Sequence, residues 1–172
     1  MIKNIFLDID ETLIHTCLFD PQQNHIKLQI NDGFSYFTVL RPCAKNLIEF
    51  SRNLVGKENV YILTTATTDY ALEVNRLAGW EFENDHIIAR EDIANHQCSF
   101  GYGGEGIVRH KLADKNNVLI DNLHPRHNCK KIDLIGISTD RYMHIRDYYG
   151  VNQTNDTFEE DVKNFLTKLA ND

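Results

Sequence analysis

The chain predicts an α/β fold of three layers, with helices on both faces of a mainly parallel sheet. Three observations predict it. Apolar runs of strand length recur at residues 2–8, 59–65 and 118–122, each run ends in polar side chains, and helical patterns lie between the runs. Strands that read as continuous apolar runs are buried on both faces, which is the condition of a parallel sheet covered by helices. The order strand, helix, strand, helix, strand implies right-handed crossovers and a three-layer sandwich. With 172 residues and 42% hydrophobic content, the chain is long enough for one well-buried core and short for two ordinary domains, so a single domain over residues 1–172 is expected.

Taken in order, residues 2–8 form the first strand. Pro42 suits a first helical position, and Ala44, Leu47, Ile48, Ser51, Leu54 and Val55 follow helical spacing to a stop near Gly56. Residues 59–65 form the second strand. Thr68 or Asp69 then caps a helix carrying Leu72, Val74, Leu77 and Ala78, closed by Gly79. His86–Ala89 reads as a short strand, Val118–Asn122 as the third main strand and Ile132–Ile137 as another. A last helix opens on a capping box, Thr157-x-x-Glu160, and carries one apolar stripe: Phe158, Val162, Phe165, Leu166 and Leu169.

Two stretches break the alternation. Within residues 16–40, His25–Ile30 and Phe34–Leu40 have period two and are joined by Asn31-Asp32-Gly33, which predicts a β-hairpin standing as a flap beside the tip of the first strand. Gly101-Tyr-Gly-Gly-Glu-Gly106 lacks the Lys-Ser/Thr of a phosphate-binding loop and reads as a surface loop.

The formal charge of −7 disfavours stable binding to long nucleic acid, which depends on many Lys and Arg on phosphates. The apolar segment at the start is too short for a signal peptide or membrane span, so a cytoplasmic protein without membrane contact is expected. Cys17, Cys43, Cys98 and Cys129 form no Cys-x-x-Cys pair and read as reduced thiols. His124-x-x-His127-x-Cys129 is half of a zinc pattern without a second half.

The strand tips carry the chemistry. The first ends in Asp8 and Asp10, two carboxylates that repel unless a cation or a proton lies between them. The second ends in Thr64 and Thr65 and the third in Asp121 and Asn122, with Lys111 on the segment before the third. In an α/β sheet, ligands bind beyond these carboxyl ends. Such residue types suit phosphoryl transfer: a carboxylate attacks phosphorus, a second carboxyl group moves the proton, oxygen ligands hold Mg²⁺, and a hydroxyl and an ammonium hold the phosphate oxygens.

On these residues the chain resembles the haloacid-dehalogenase superfamily of phosphohydrolases, whose first motif is Asp-x-Asp-x-Thr. More narrowly, Leu7-Asp8-Ile9-Asp10-Glu11-Thr12-Leu13-Ile14-His15 is similar to the opening of the FCP/SCP-type (NLI-interacting-factor-like) phosphatases. Leu40-Arg41-Pro42, the segment Thr64–Ala71 and Ile120-Asp121-Asn122 resemble further elements of that branch in the same order. The resemblance implies a Rossmann-like fold and a Mg²⁺-dependent phosphomonoesterase working through an aspartyl-phosphate. Asp8 would be the nucleophile and Asp10 the general acid/base. Thr65 and Lys111 would hold the phosphate, with Lys115 as an alternative cation. Asp8, the Asp10 carbonyl, Asp121 and Asn122 would organise the metal.

Residues after Asn122 depart from the family's usual Ser-Pro, and Cys43 replaces its Gly. No helical cap domain is apparent. An open site admits a nucleotide, a nucleic-acid end, a phosphoprotein segment or a small phosphorylated metabolite. The local basic residues Arg109, His110, Arg126, His127, Lys130 and Lys131 favour a nucleotide or nucleic-acid end. Thr64, Asp69, Tyr70, Tyr102 and Arg126 are further candidate substrate contacts. The alternatives are a protein Ser/Thr phosphatase of the FCP/SCP type and, in another class, a non-catalytic binding module on the same fold. A signalling receiver domain fails because its phosphoacceptor Asp should end a middle strand, where this chain has Thr65.

Overall fold

Three strands whose every residue is buried form the centre of the molecule: β1 (Ile5–Leu7), β5 (Val60–Leu63) and β7 (Val118–Asp121). The computed structural model describes residues 1–30, 33–94, 111–150 and 156–172. The glycine-rich stretch 101–106, Tyr102, Cys98, Arg109, His110 and the Asn31-Asp32 part of the hairpin turn lie outside the described residues. With β6 (Ile87–Ile88) and β8 (Tyr142–His144), the central strands make a five-stranded sheet in the order β6-β5-β1-β7-β8, and every neighbouring pair is parallel.

Side chains alternate across the sheet and divide the core in two. Ile5, Leu7, Val60, Ile62, Val118 and Ile120 pack with the apolar faces of α1 (Ala44–Val55), α2 (Thr68–Ala78) and α5 (Phe158–Asn171). Phe6, Tyr61, Leu63 and Leu119 face the other way, against Ile93 of α3 (Arg90–Ala94) and Leu134 and Ile135 of α4 (Cys129–Ile135). The predicted three-layer α/β architecture is therefore observed.

Several local predictions are corrected. Residues 132–137, read as a strand, belong to α4 and its exit turn. A six-residue apolar run fits either element by pattern, and here Gly136 at φ +72 ends a helix in the left-handed conformation. The fifth strand is instead β8, whose Tyr-Met-His has no strand signature. Helix α1 starts at Ala44, so Pro42 lies in the turn before it. Helix α2 has Thr67 as its N-cap without a side-chain cap bond; Glu91 instead accepts from the Thr68 amide at 3.0 Å and its hydroxyl at 2.7 Å. The Thr157-x-x-Glu160 capping box does not form, because the Thr157 hydroxyl donates to Asp161 and Asp156 accepts from the Phe158 amide.

The hairpin is observed as β3 (Ile26–Gln29) and β4 (Ser35–Leu40), antiparallel, with Leu28 opposite Tyr36. It gains a third strand, β2 (Ile14–Cys17), paired with β4 from Ile14 opposite Leu40 to Cys17 opposite Phe37. The flap is thus welded to the acidic motif, since β2 begins four residues after Asp10. No described helix is long and apolar enough to cross a membrane.

Candidate active site

Strand β1 is extended past Leu7 by the Asp8 amide, which donates to the Ile120 carbonyl at 3.0 Å, and the chain then turns sharply. The amides of Thr12, Leu13 and Ile14 all donate to the Ile9 carbonyl, and Glu11 takes φ +58. This turn aims Asp8 and Asp10 in different directions. Arg41, 1% exposed, holds the turn from below: its Nη1 donates to the Thr12 carbonyl at 2.8 Å and its Nε to Asp156 at 2.8 Å. Its guanidinium lies over the Phe158 ring at 3.9 Å.

Asp8 points toward β7. Lys131 Nζ donates to Asp8 Oδ1 and to Asp121 Oδ2, both at 2.6 Å. The Thr12 hydroxyl lies 3.2 Å from Asp8 Oδ2 and accepts from the Asn122 amide at 3.1 Å. Asp121 also accepts from the Leu123 amide at 2.8 Å and from Asn128 at 2.7 Å, and Asn122 Nδ2 donates to Asp147 at 3.0 Å. Asp8, Asp121 and Lys131 are all buried. Burial pushes the Asp8 carboxyl up to about 7 against the pull of Lys131, with Asp121 adding to the rise. Burial also works against the Lys131 ammonium, but Asp8 and Asp121 outweigh it and raise its pKa.

Asp10 points the other way, into a cavity of about 480 Å³ between the flap and the sheet. Its lining includes Thr16, Tyr36, Thr65, Tyr70 and Arg90. The Tyr70 hydroxyl donates to Asp10 Oδ1 at 2.5 Å and lies 2.8 Å from the Thr16 hydroxyl. Burial raises the Asp10 pKa against the lowering effect of that hydrogen bond. Burial and the Asp10 charge raise Tyr70 far above its ordinary value, so it remains a donor.

Among the residues singled out from sequence, Asp8, Asp121 and Asn122 meet through Thr12 and Lys131, and Asp10, Thr65 and Tyr70 meet in the cavity. Thr64 is buried and its hydroxyl accepts from the Ala66 amide, so it shapes the turn after β5. Asp69 is exposed and lines a separate depression with Leu72, Glu73 and Arg76. Arg126 is exposed beyond β7. Lys111 and Lys115 are exposed in the turns that lead to the amino end of β7. The ammonium between Asp8 and Asp121 is that of Lys131, contributed by α4 after β7 rather than by the segment before it. The sequence shows Lys131 only as one of several basic residues near the site; its place between Asp8 and Asp121 is hidden there because residues 132–137 read as a strand and a Lys-Lys pair reads as solvated surface. Sequence reasoning missed Arg90, whose Nε donates to the Thr65 carbonyl at 2.7 Å and fixes the loop that presents Thr65.

The residues fit a hard divalent cation. Asp8, Asp121 and Asn122 offer only oxygen donors besides the amide, and with both carboxyl groups ionised the single ammonium leaves one negative charge for a cation to neutralise. A cluster of three His, Cys, Asp or Glu suited to a metal does not occur among the described residues, so Asn122 has to complete the donor set.

No curated protein matches the chain. Among solved structures it is similar to Fcp1, described as an essential RNA polymerase II CTD phosphatase, with 18% identity, a TM-score of 0.55 and coverage of 98% of this chain and 49% of that one. It is likewise similar to fission yeast Fcp1 in a variant bound to beryllium fluoride, with 17% identity, a TM-score of 0.52 and coverage of 98% and 50%. At these identities the likeness is one of fold, the haloacid-dehalogenase fold, and the chain spans about half the length of each structure. The NLI interacting factor-like phosphatase family matches residues 3–172. The chain that carries Asp8, Asp10, Thr12, Asp121 and Asn122 at these strand tips therefore belongs to the NLI interacting factor-like phosphatase family.

Proposed function

We propose that the chain hydrolyses phosphomonoesters through an aspartyl-phosphate on Asp8. The observation that carries this reading is the division of labour between the two carboxyl groups: Asp8 sits against Lys131 and Asp121, while Asp10 faces the cavity under Tyr70. A phosphate entering over Asp8 meets the Lys131 ammonium and the Thr65 hydroxyl, and positioned charge is the main requirement of phosphoryl transfer. Mg²⁺, held by Asp8, Asp121, Asn122 and the Asp10 carbonyl, would neutralise phosphate charge facing the nucleophile. Asp8 attacks phosphorus as the ester oxygen departs with the Asp10 proton. Water, giving its proton back to Asp10, then releases inorganic phosphate and restores Asp8. The raised Asp10 pKa suits a group that begins the cycle protonated.

The substrate is a phosphorylated one with an open approach: a nucleotide, a nucleic-acid end, a phosphoprotein segment or a small metabolite. Against a binding module without catalysis stands the presence of all the groups this chemistry would need: Asp8, Asp10 and the Lys131 ammonium.

The test is hydrolysis of an aryl phosphate in Mg²⁺. Asp8→Asn is expected to abolish turnover and Asp10→Asn to lower kcat by roughly 10²–10⁴-fold. Full activity in Asp8→Asn would overturn the proposal.

A further inference from the structure

One rim of the site is built from rings and cations. From Leu123 to Lys131 the chain reads Leu-His-Pro-Arg-His-Asn-Cys-Lys-Lys, nine residues without a carboxylate in a protein of net charge −7. Lys131 turns inward to Asp8, whereas His124, Arg126, His127 and Lys130 are exposed. Strand β8 brings a second set alongside. Asp121 is in register with His144, so the segments leaving β7 and β8 emerge side by side at the edge that holds Asp8. The His124 ring lies 5.4 Å from that of His144 and 6.3 Å from that of His127, both edge to face. Farther along the rim, the exposed Tyr149 lies 6.1 Å from His15, which neighbours Glu11 of the acidic motif. The His124, His127, His144 and Tyr149 rings face solvent instead of filling the core, and His15 is half-buried.

Exposed rings beside exposed cations match a chain that repeats a base and a phosphate. Bases stack on aromatic and imidazole faces, and backbone phosphates take Arg and Lys. A singly phosphorylated peptide without aromatic side chains brings one phosphate but no succession of charges and flat faces. The small number of cations suits a short contact at an end, not tight binding along a duplex.

We infer that the substrate is the phosphorylated end of a single-stranded nucleic acid, whose terminal phosphate enters over Asp8 and whose next nucleotides lie on the His124–His127–His144 rim. Backbone phosphates then contact Arg126 and Lys130. The inference rests on the proposed phosphatase chemistry. The bond between phosphorus and the terminal nucleoside oxygen breaks, the bond from phosphorus to Asp8 forms, and the Asp10 proton goes to the nucleoside oxygen. Water then releases inorganic phosphate.

The experiment compares kcat/KM of the full chain in Mg²⁺ on single strands of about ten nucleotides phosphorylated at the 5′ or the 3′ end, on a phosphoserine peptide, on a mononucleotide and on an aryl phosphate. One of the two oligonucleotides is expected to exceed both the peptide and the mononucleotide by about tenfold or more. The double variant Lys130→Ala/His144→Ala should lower the ratio of oligonucleotide to aryl-phosphate kcat/KM by about tenfold. In an Asp8→Asn background, binding of the labelled oligonucleotide should weaken with salt, and Lys130→Ala should reduce the slope by about one. Lys130→Arg should restore it, which a variant acting only through misfolding would not show. A peptide turned over as well as either oligonucleotide, or a double variant that lowers both substrates alike, would overturn the inference while leaving the phosphatase chemistry standing. Failure on the aryl phosphate as well would overturn both.

Discussion

Asp8 is a carboxylate held in a place that disfavours its charge. Burial lifts its pKa to about 7, and Lys131 shares its ammonium between Asp8 and Asp121. In the metal-free protein, the folded state therefore holds a proton on Asp8 that the unfolded chain has released between its ordinary pKa of 3.8 and about 7. Stability from this group is present below the lower value and lost as the pH rises through the upper one. Asp8→Asn removes the charge and leaves Lys131 paired with Asp121, so its Tm without metal should match or exceed the wild type at pH 8 (roughly a few degrees). That advantage should vanish near pH 4, where the Asp8 carboxyl is itself largely neutral in the folded state. Thermal melts at the two pH values check this. Lys131→Met does the opposite, leaving two buried carboxylates facing each other, and should cost about 3–5 kcal/mol together with all turnover. Lys111→Met, at an exposed turn, should change neither by a measurable amount. The carboxylates were legible in the sequence because acidic residues at the end of an apolar strand have few structural uses. The ammonium was not, because its partners lie 123 and 10 residues away, and nothing local distinguishes it from Lys130.

At the scale of elements, the acidic turn depends on a clamp from the other end of the chain. Arg41, in the turn before α1, ties the Thr12 carbonyl to Asp156 and the Arg146 carbonyl, and packs between Tyr148 and Phe158. Arg41→Ala would leave Asp156 and two carbonyls without this donor and open a space beside α5. A loss of roughly 3 kcal/mol or more is expected by urea unfolding, with kcat falling further than the stability loss explains, because Thr12 also positions Asp8 and Asn122. Arg41 and Pro42 stood out in the sequence by resemblance, but the clamp itself did not, since Asp156 and Phe158 look like ordinary residues at a helix start. The same limit explains α4. Ile132, Leu134, Ile135 and Ile137 make a short apolar run that fits a strand as well as a helix, and only the closure of Gly136 in the left-handed conformation reveals a helix. The longer helices α1, α2 and α5 were legible because a stripe sustained over three turns is not mimicked by a strand.

For the whole molecule, the order β6-β5-β1-β7-β8 puts β1 in the middle, with the chain running first to one side and then to the other. The site lies at that reversal, where open α/β sheets bind their ligands. Parallel strands and helical layers could be read from the apolar runs, whereas strand order could not, because it is decided by which helix covers which face. The flap adds the second wall: β2 continues from the acidic turn, so Thr16 and Tyr70 meet over Asp10. A cation bound at Asp8, Asp121 and Asn122 stabilises only the folded state, so Mg²⁺ should raise the wild-type Tm in a saturating manner, and Asp121→Asn should remove the effect. Whether Asp8 carries the phosphoryl group is decided by acid-quenching a single turnover and mapping the digested protein by mass. One phosphoryl group is expected on the peptide that contains Asp8, and none in Asp8→Asn. Turnover with no modified peptide, or with the group on another residue, would contradict an aspartyl-phosphate on Asp8.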